Sequence, residues 1–280
     1  MRIKVELISK SKNIYLKTGY NASLQALIYN NISKKLADRL HDEGFMFENR
    51  KFKLFTYSSI LEFGKFDREK KIFKFPQQIS FYISSPVDFL LEDLGRTLIN
   101  QDEVRLGNNI LLISSINIIK KILPNKESLK VTAVTPIEMH STFKKPDGKN
   151  FTHYYTPFEE DFSRLIRENL LKKWIAFNSK SSFSVFHDKK VGGFRKTDLN
   201  SEESIGSILK ELTFTIKPLF KNKNNEKIIY FGSGEKKTLI KGWKGYFIIE
   251  SNSSELLYFA LDVGLGGRNS QGFGMIDIIK

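Results

Sequence analysis

Cysteine is absent from the 280 residues. Its absence excludes a disulfide framework, thiolate zinc sites and a cysteine nucleophile, and it agrees with a reducing compartment. No stretch approaches the roughly 20 consecutive apolar residues that a membrane-spanning helix needs. The first residues, MRIKVELISKSKNIYLKTG, alternate apolar and charged side chains and read as a strand, not as a signal peptide. A soluble, cytoplasmic protein without a membrane partner is the expectation. Histidine is scarce, with four in the chain, and no two have the spacing of metal ligands, so no metal site is expected. Acidic residues are outnumbered, 31 against 45 lysines and arginines, leaving a net charge of +14. Such an excess destabilises a compact chain by self-repulsion unless a polyanion is the usual partner, and nucleic acid is the first candidate. An anionic membrane surface ranks second, because no basic amphipathic helix is found.

What is present is core material. Apolar residues make up 40% of the chain, with 24 phenylalanines, too much for disorder and enough for one large or two modest domains. RIKVELI (Arg2 to Ile8) alternates with period two and predicts a half-buried strand. Leu24, Leu27, Ile28, Ile32, Leu36 and Leu40 then form a helical stripe, with Asn21 as N-cap and Gly44 as stop. KFKLFTYSSILEF and KIFKFPQQISFYISS read as strands, SPVDFLLEDLGRTLIN as a helix opened by Ser85 ahead of Pro86, and NNILLISSINIIKKIL as a strand. The order is β-α-β-β-α-β, the ferredoxin-like pattern. PNKES (Pro124 to Ser128) is the expected linker. Beyond it come a strand (KVTAVTPIEMHS) and a helix (PFEEDFSRLIRENLLKKWIAF) carrying Phe162, Leu165, Ile166, Leu170 and Trp174 on one side. Two strands follow (SILKELTFTIKPLF and KKTLIKGWKGYFIIES), then a helix (SSELLYFALDVG) with Asn252 and Glu255 placed as a capping box, and a last strand (FGMIDIIK). The expected architecture is α+β: two tandem ferredoxin-like domains, residues 1–123 and 129–280, with a C-terminal glycine-rich loop.

That loop, DVGLGGRNSQGFGMIDI (Asp262 to Ile278), holds five glycines in eleven residues. Gly264, Gly266, Gly272 and Gly274 frame it, with Arg268 inside. Glycine permits positive φ and lets backbone N–H groups come close to a ligand, and such turns form anion-binding concavities. Arg268 adds a charge-assisted contact to a phosphate. A dinucleotide-binding G-x-G-x-x-G would follow a strand and open a helix, whereas this loop follows a helix and enters the final strand. GSGEKKT (Gly232 to Thr238) departs from a P-loop at Lys236, where a glycine is required, and reads as a hairpin turn. Both failures count against a nucleotide-dependent enzyme, and no cofactor is expected.

GLGGRNSQGFG resembles the C-terminal glycine-rich signature of the CRISPR-associated endoribonucleases that cut precursor CRISPR RNA within its repeats. These are members of the repeat-associated mysterious protein (RAMP) superfamily. LQALIYNNI, LADRLHDEGF, KLFTYS and TPIEM extend the likeness over most of the chain, most strongly in the first 60 and last 20 residues. The resemblance implies tandem ferredoxin-like domains, which matches the element order. It implies a catalytic histidine at His41 and, as in archaeal members with a tyrosine, histidine and lysine site, Tyr29 and Lys53 as its companions. It also implies CRISPR repeat RNA as the partner, with a CRISPR effector complex as a further one. Taken by itself, His41 is a histidine favoured by a helix C-terminus, Tyr29 a half-buried aromatic and Lys53 a strand lysine.

Metal-free RNA cleavage needs three jobs done. A base takes the proton of the 2′-hydroxyl as it attacks phosphorus, an acid protonates the leaving 5′-oxygen, and a cation stabilises the transition state. Imidazole suits proton transfer near neutrality, so His41 fits that work, Lys53 the electrostatic role, and Tyr29 either positioning or a share of the acid–base work. The residues alone do not divide acid from base between Tyr29 and His41. In one straight helix these two, twelve positions apart, would lie ~18 Å from each other, too far to share a phosphate. The chain must break between them, and NNISKK, with Ser33 as a new N-cap, is where the break is expected. His140 at a strand end, His153 in an aromatic loop and His187 in a basic turn carry less weight, and Glu159 to Asp161 read as the acidic first turn of a helix. Two basic, aromatic-rich stretches suit backbone tracking and base stacking: one holds Lys189, Lys190 and Arg195, the other Lys241. The rival reading is a non-catalytic RNA-binding subunit of a guide complex, and a monomer or a homodimer fits either.

Overall fold

Alternation in β1 (Arg2–Ser9) buries Ile3, Val5 and Leu7, since successive strand side chains face opposite ways. The computed structural model describes residues 1–120, 126–179, 206, 209–221, 223–232 and 238–279. After β2 (Ile14–Lys17), the apolar stripe is carried by α1 (Asn21–Asn30), through Leu24, Leu27 and Ile28, and by α2 (Lys34–Asp42), through Leu36 and Leu40. The helical path breaks between them, at the place the sequence marks. The Asn31 amide donates to Leu27 O at 2.7 Å, a side-chain bond that competes with continuing the helix. Ser33 is extended (ψ 142°), its carbonyl receives the Leu36 and Ala37 N–H groups, and its own N–H is held by Asp93 at 2.6 Å. It stands at the N-cap position without a side-chain cap bond. Gly44, at φ 59°, ends α2 with its N–H on Arg39 O.

The rest of the first half comprises β3 (Phe45–Phe47), β4 (Arg50–Phe52), β5 (Thr56–Tyr57), β6 (Lys65–Asp67), β7 (Ile72–Phe75), β8 (Gln78–Ser84), α3 (Asp88–Ile99), β9 (Glu103–Leu106) and β10 (Asn109–Ile118). An antiparallel sheet in the order β5-β8-β1-β10-β9 forms the frame, and the helices cover it with Leu90, Leu91, Leu94 and Leu98 of α3 in the core. The second half supplies β11 (Ser128–Ile137), β12 (His140–Lys144), β13 (Asn150–Tyr154), α4 (Glu160–Asn178), β14 (Thr215–Pro218), β15 (Glu226–Phe231), β16 (Thr238–Glu250), α5 (Ser254–Val263) and β17 (Ile276–Ile278). Its sheet runs β14-β16-β11-β17, with β15 added beside β16. In each sheet the first strand pairs with the third and fourth of the βαββαβ series, so both halves are ferredoxin-like, in tandem.

Several local expectations shift. The two long strands read over residues 51–63 and 71–85 are each interrupted. Leu54 adopts a left-handed conformation (φ 51°) after β4, and Pro76, which has no N–H for a ladder, separates β7 from β8. Helix α3 opens at Asp88, not at Pro86, and the Ser85 hydroxyl donates to Leu54 O at 2.7 Å. The α5 cap is Ser253, which accepts from Leu256 N–H, while Asn252 bonds Glu211 O and Thr213 N–H. His153 lies on strand β13, paired opposite Ser141, not in a loop.

Polar contacts join the halves. Arg2, 1% exposed, donates to Leu261 O and Ile276 O and pairs with Asp277 at 3.1 Å. Ser84 donates to Asp262 at 3.2 Å, and Thr56 to Phe273 O at 3.0 Å.

Candidate functional site

Between the halves lies a cleft of about 200 Å³, walled by Lys51 to Phe55, by Asn169 and Lys173 of α4, and by Gly266 to Ser270 of the glycine-rich loop. Its lining carries Lys51, Lys53, Lys173 and Arg268 and, among the described residues, no carboxylate. A concave wall of one charge sign focuses field and concentrates an anionic ligand. Two of the chain's left-handed non-glycine residues, Leu54 and Arg268 (φ 53°), lie in this wall. Such strain persists only where the surroundings over-determine it, and it gathers at functional sites. Leu54 is held by its buried side chain and by the Ser85 bond.

The glycine-rich loop is built by close approach to the protein itself. The N–H groups of Gly264, Gly272 and Gly274 donate to Ala260, Asn269 and Pro136 carbonyls, and Leu265 N–H to Gly274 O. A Cβ on Gly274 would overlap the Leu265 carbonyl, and one on Gly266 the carbonyl of Glu138. At Gly272 it would sit 2.7 Å from the Tyr57 ring and 2.8 Å from the Asn21 amide, both in the other half. Asn21, expected as an N-cap, instead donates its amide to Gln271 O, and Gln25 donates to Ser270 O at 2.6 Å. Intramolecular packing therefore accounts for these glycines, and the loop wedges the two sheets together.

Lys173 is the residue that sequence reading missed. It sits among Leu170, Leu171 and Trp174 on the buried face of α4, 4% exposed, and its amine donates to Gly266 O at 2.8 Å, Asn269 Oδ1 at 2.5 Å and Gly264 O at 3.3 Å. Burial pushes its pKa down to about 7, opposed by the Glu138 carboxylate. Glu138 is itself fully buried and bonded to His140. A lysine within a helix's apolar stripe is the one signal that could have flagged it.

Around the opposite wall, Lys53 donates to the His41 carbonyl at 2.9 Å, and desolvation followed by the Lys51 charge lowers its pKa. His41, at the end of α2, is 83% exposed, with Nδ1 2.9 Å from Asp42. Lys51 bonds the Asp42 carbonyl, so both lysines grip the end of α2. Tyr29 packs edge-on against Phe55, ring centroids 5.9 Å apart, and burial raises its hydroxyl to about 12. Thus Lys53 reaches His41 while Phe55, two residues on, reaches Tyr29, with the turn at Leu54 between. Arg268 stands across the cleft, Nη1 3.3 Å from Gln271.

The other expected contacts lie elsewhere. Lys241, on β16, pairs with Glu226 at 3.5 Å and does not line the cleft. Lys189, Lys190, Arg195 and His187, and most of GSGEKKT, lie outside the described residues. Glu159 to Asp161 open α4, as read from the sequence.

Comparison with known proteins agrees with this architecture. The family model for CRISPR-associated protein Cas6, N-terminal, matches residues 15–117, and that for CRISPR associated protein Cas6, C-terminal, matches residues 119–278. A Methanocaldococcus jannaschii protein named CRISPR-associated endoribonuclease Cas6 1 is 26% identical over 279 residues, covering 99% of this chain and 92% of the relative. The Pyrococcus furiosus CRISPR-associated endoribonuclease Cas6 is 28% identical, covering 99% and 90%. A solved structure of a Cas6-related protein from Pyrococcus furiosus superposes with a TM-score of 0.72 at 20% identity, over 100% of this chain and 98% of that one. A RAMP protein described as binding different RNA substrates gives a TM-score of 0.70 at 21% identity, over the whole of both chains. The chain belongs to the Cas6 family of CRISPR-associated proteins.

Proposed function

We propose that this protein is a metal-independent endoribonuclease that cuts precursor CRISPR RNA within its repeats, leaving a 2′,3′-cyclic phosphate and a 5′-hydroxyl. One observation carries the reading: a cationic cleft is closed on one side by Lys53, bonded to the end of α2 at His41, and on the other by Arg268 in the glycine-rich loop. Full-length relatives named as Cas6 endoribonucleases support the substrate class.

In this mechanism the 2′-oxygen attacks the adjacent phosphorus, the bond from phosphorus to the 2′-oxygen forms, and the bond to the 5′-oxygen breaks. One proton leaves the 2′-hydroxyl and another reaches the departing 5′-oxygen. Tyr29, raised to about 12, keeps its proton near neutrality and is a donor, not a base. His41 is then the acceptor of the 2′ proton, and Tyr29 protonates or positions the leaving oxygen. Lys53 and Arg268 stabilise the charge that gathers on the non-bridging oxygens. Lys53 and Arg268 line the cleft, while His41 and Tyr29 stand beyond its lining, tied to it through the Lys53 bond and the Phe55 ring.

The test is incubation of end-labelled repeat RNA with the protein in EDTA, followed by analysis of the new 3′ end. Cutting at one site with a cyclic phosphate is the expected result. Cleavage that stops in chelator and resumes with magnesium would overturn metal independence, and tight binding of the cognate repeat without a cut would favour the RNA-binding subunit.

A further inference from the structure

Buried polar atoms in folded proteins nearly always have hydrogen-bond partners, so each exception asks for an explanation. Among the described residues four side-chain atoms are buried without one: Arg2 Nε, Glu138 Oε2, Asn169 Oδ1 and Arg268 Nε. Arg2 spends its other guanidinium nitrogens on two carbonyls and Asp277, and Glu138 has its other oxygen on His140. Asn169 and Arg268 are different. Both residues line the cleft, Asn169 with an unsatisfied acceptor and Arg268 with an unsatisfied donor.

Helix geometry explains how Asn169 comes to be there. It lies one turn before Lys173 on α4, so the two occupy neighbouring positions on one side of the helix. The amine of Lys173 is consumed by the glycine-rich loop, which fixes that side of the helix against the cleft. Asn169, a residue of the cleft wall, is left with a side-chain oxygen that no group among the described residues bonds.

The chemistry of an amide oxygen narrows what can satisfy it. An ionised phosphate has no hydrogen to donate, so the RNA backbone charge that suits Lys53 and Arg268 does not suit Asn169. The wall also carries the partly exposed Phe52, and aromatic side chains beside single-stranded RNA receive bases. A ribose 2′-hydroxyl can also donate but is the same at every nucleotide, whereas a base edge with an exocyclic amine gives Oδ1 a donor that differs between bases. Adenine fits best, because its N7 acceptor lies beside the amine and pairs with the second half of the amide.

We propose that Asn169 is a specificity-determining residue that accepts a hydrogen bond from the exocyclic amine of a nucleobase flanking the cleaved phosphate. This rests on the endoribonuclease reading of the cleft and deepens it: Lys53 and Arg268 hold the phosphate, and Asn169 selects which nucleotide stands next to it.

The test is a double-mutant cycle between protein and RNA. Single-turnover cleavage and affinity are measured for wild type and Asn169→Leu on the host's repeat RNA. In matched RNAs each flanking nucleotide is replaced in turn by the analogue without its amine: purine riboside for adenosine, inosine for guanosine, pyrimidin-2-one riboside for cytidine. Wild type loses roughly five- to tenfold with the analogue at one of the two positions, the worth of one hydrogen bond. Asn169→Leu loses about as much on unmodified RNA, and no more on the analogue. Asn169→Ala, which adds no bulk, gives the same cycle. Losses that multiply at both positions overturn the proposal, as does uracil on both sides of the cleaved bond. A repeat that wild type leaves intact overturns the endoribonuclease reading itself, whereas a cut repeat with independent losses overturns only the role of Asn169.

Discussion

Replacing Gly272 by alanine separates two explanations of the glycine-rich loop. If its glycines serve a close approach of RNA, the substitution weakens binding and leaves the fold alone. The structure puts the cost in the fold. Gly272 has φ 84°, a left-handed conformation that costs an alanine about 1–2 kcal/mol. The new Cβ would stand 2.7 Å from a carbon of the fully buried Tyr57 ring, whose hydroxyl donates to Asn21 O at 2.7 Å. Pushing a packed ring aside costs a further ~1–3 kcal/mol. A total of about 2–5 kcal/mol is a large share of the 5–15 kcal/mol that usually holds a domain together. Gly95, in the middle of α3, has open space where its Cβ would be, and alanine there should stabilise by about 0.5–1 kcal/mol. Urea denaturation of Gly272→Ala and Gly95→Ala beside wild type reads both effects. An unchanged unfolding midpoint for Gly272→Ala, together with lost RNA affinity, would refute the wedge and return the glycines to the ligand.

Two further outcomes follow from the cations of the cleft. The Lys173 amine is depressed to about 7 by burial, so between that pH and its ordinary ~10.4 the unfolded chain binds the proton that the folded one has released. Stability gains up to roughly 1.4 kcal/mol per pH unit from this group as pH rises through the window and loses it as pH falls back through the window, with no further slope once both states hold the proton below about 7. Lys173→Met should remove that slope in urea denaturation between pH 7 and 10, and parallel curves for variant and wild type would contradict it. Arg268→Ala should weaken RNA binding by about 1.5–3 kcal/mol and flatten the dependence of log K on log salt by about 0.7, the mark of one lost phosphate contact on a single strand. A variant with the wild-type salt slope would remove Arg268 from the phosphate.

The order of elements was legible because burial imposes period on a chain. Ile3, Val5 and Leu7 alternate, Leu24 to Leu40 recur at helical spacing, and Phe162, Ile166 and Leu170 do the same in the second half. The break before Ser33 was legible for another reason: Tyr29 and His41 could not serve one phosphate across an unbroken helix. Where long-range contacts decide, the sequence is silent. Asn21 has the chemistry of a cap but bonds Gln271, some 250 positions away, and no local preference encodes that. Lys173 reads as a polar interruption of an apolar face until the loop it fills is folded against it. Gly272 and Gly274 announced a close approach correctly, but the approaching group is a ring or carbonyl of the protein. Pro76 carried a local signal, a missing N–H, and should have divided its strand.

The catalytic assignment turns on His41, and single-turnover cleavage by His41→Ala tests it most directly. The imidazole is 83% exposed and bonds the neighbouring Asp42, so its removal leaves the unfolding midpoint and the RNA affinity unchanged. Loss of a proton-transfer group should slow cleavage by about 10²–10⁴-fold. A folded His41→Ala protein that binds repeat RNA normally and cuts it within a few-fold of the wild-type rate would contradict the account.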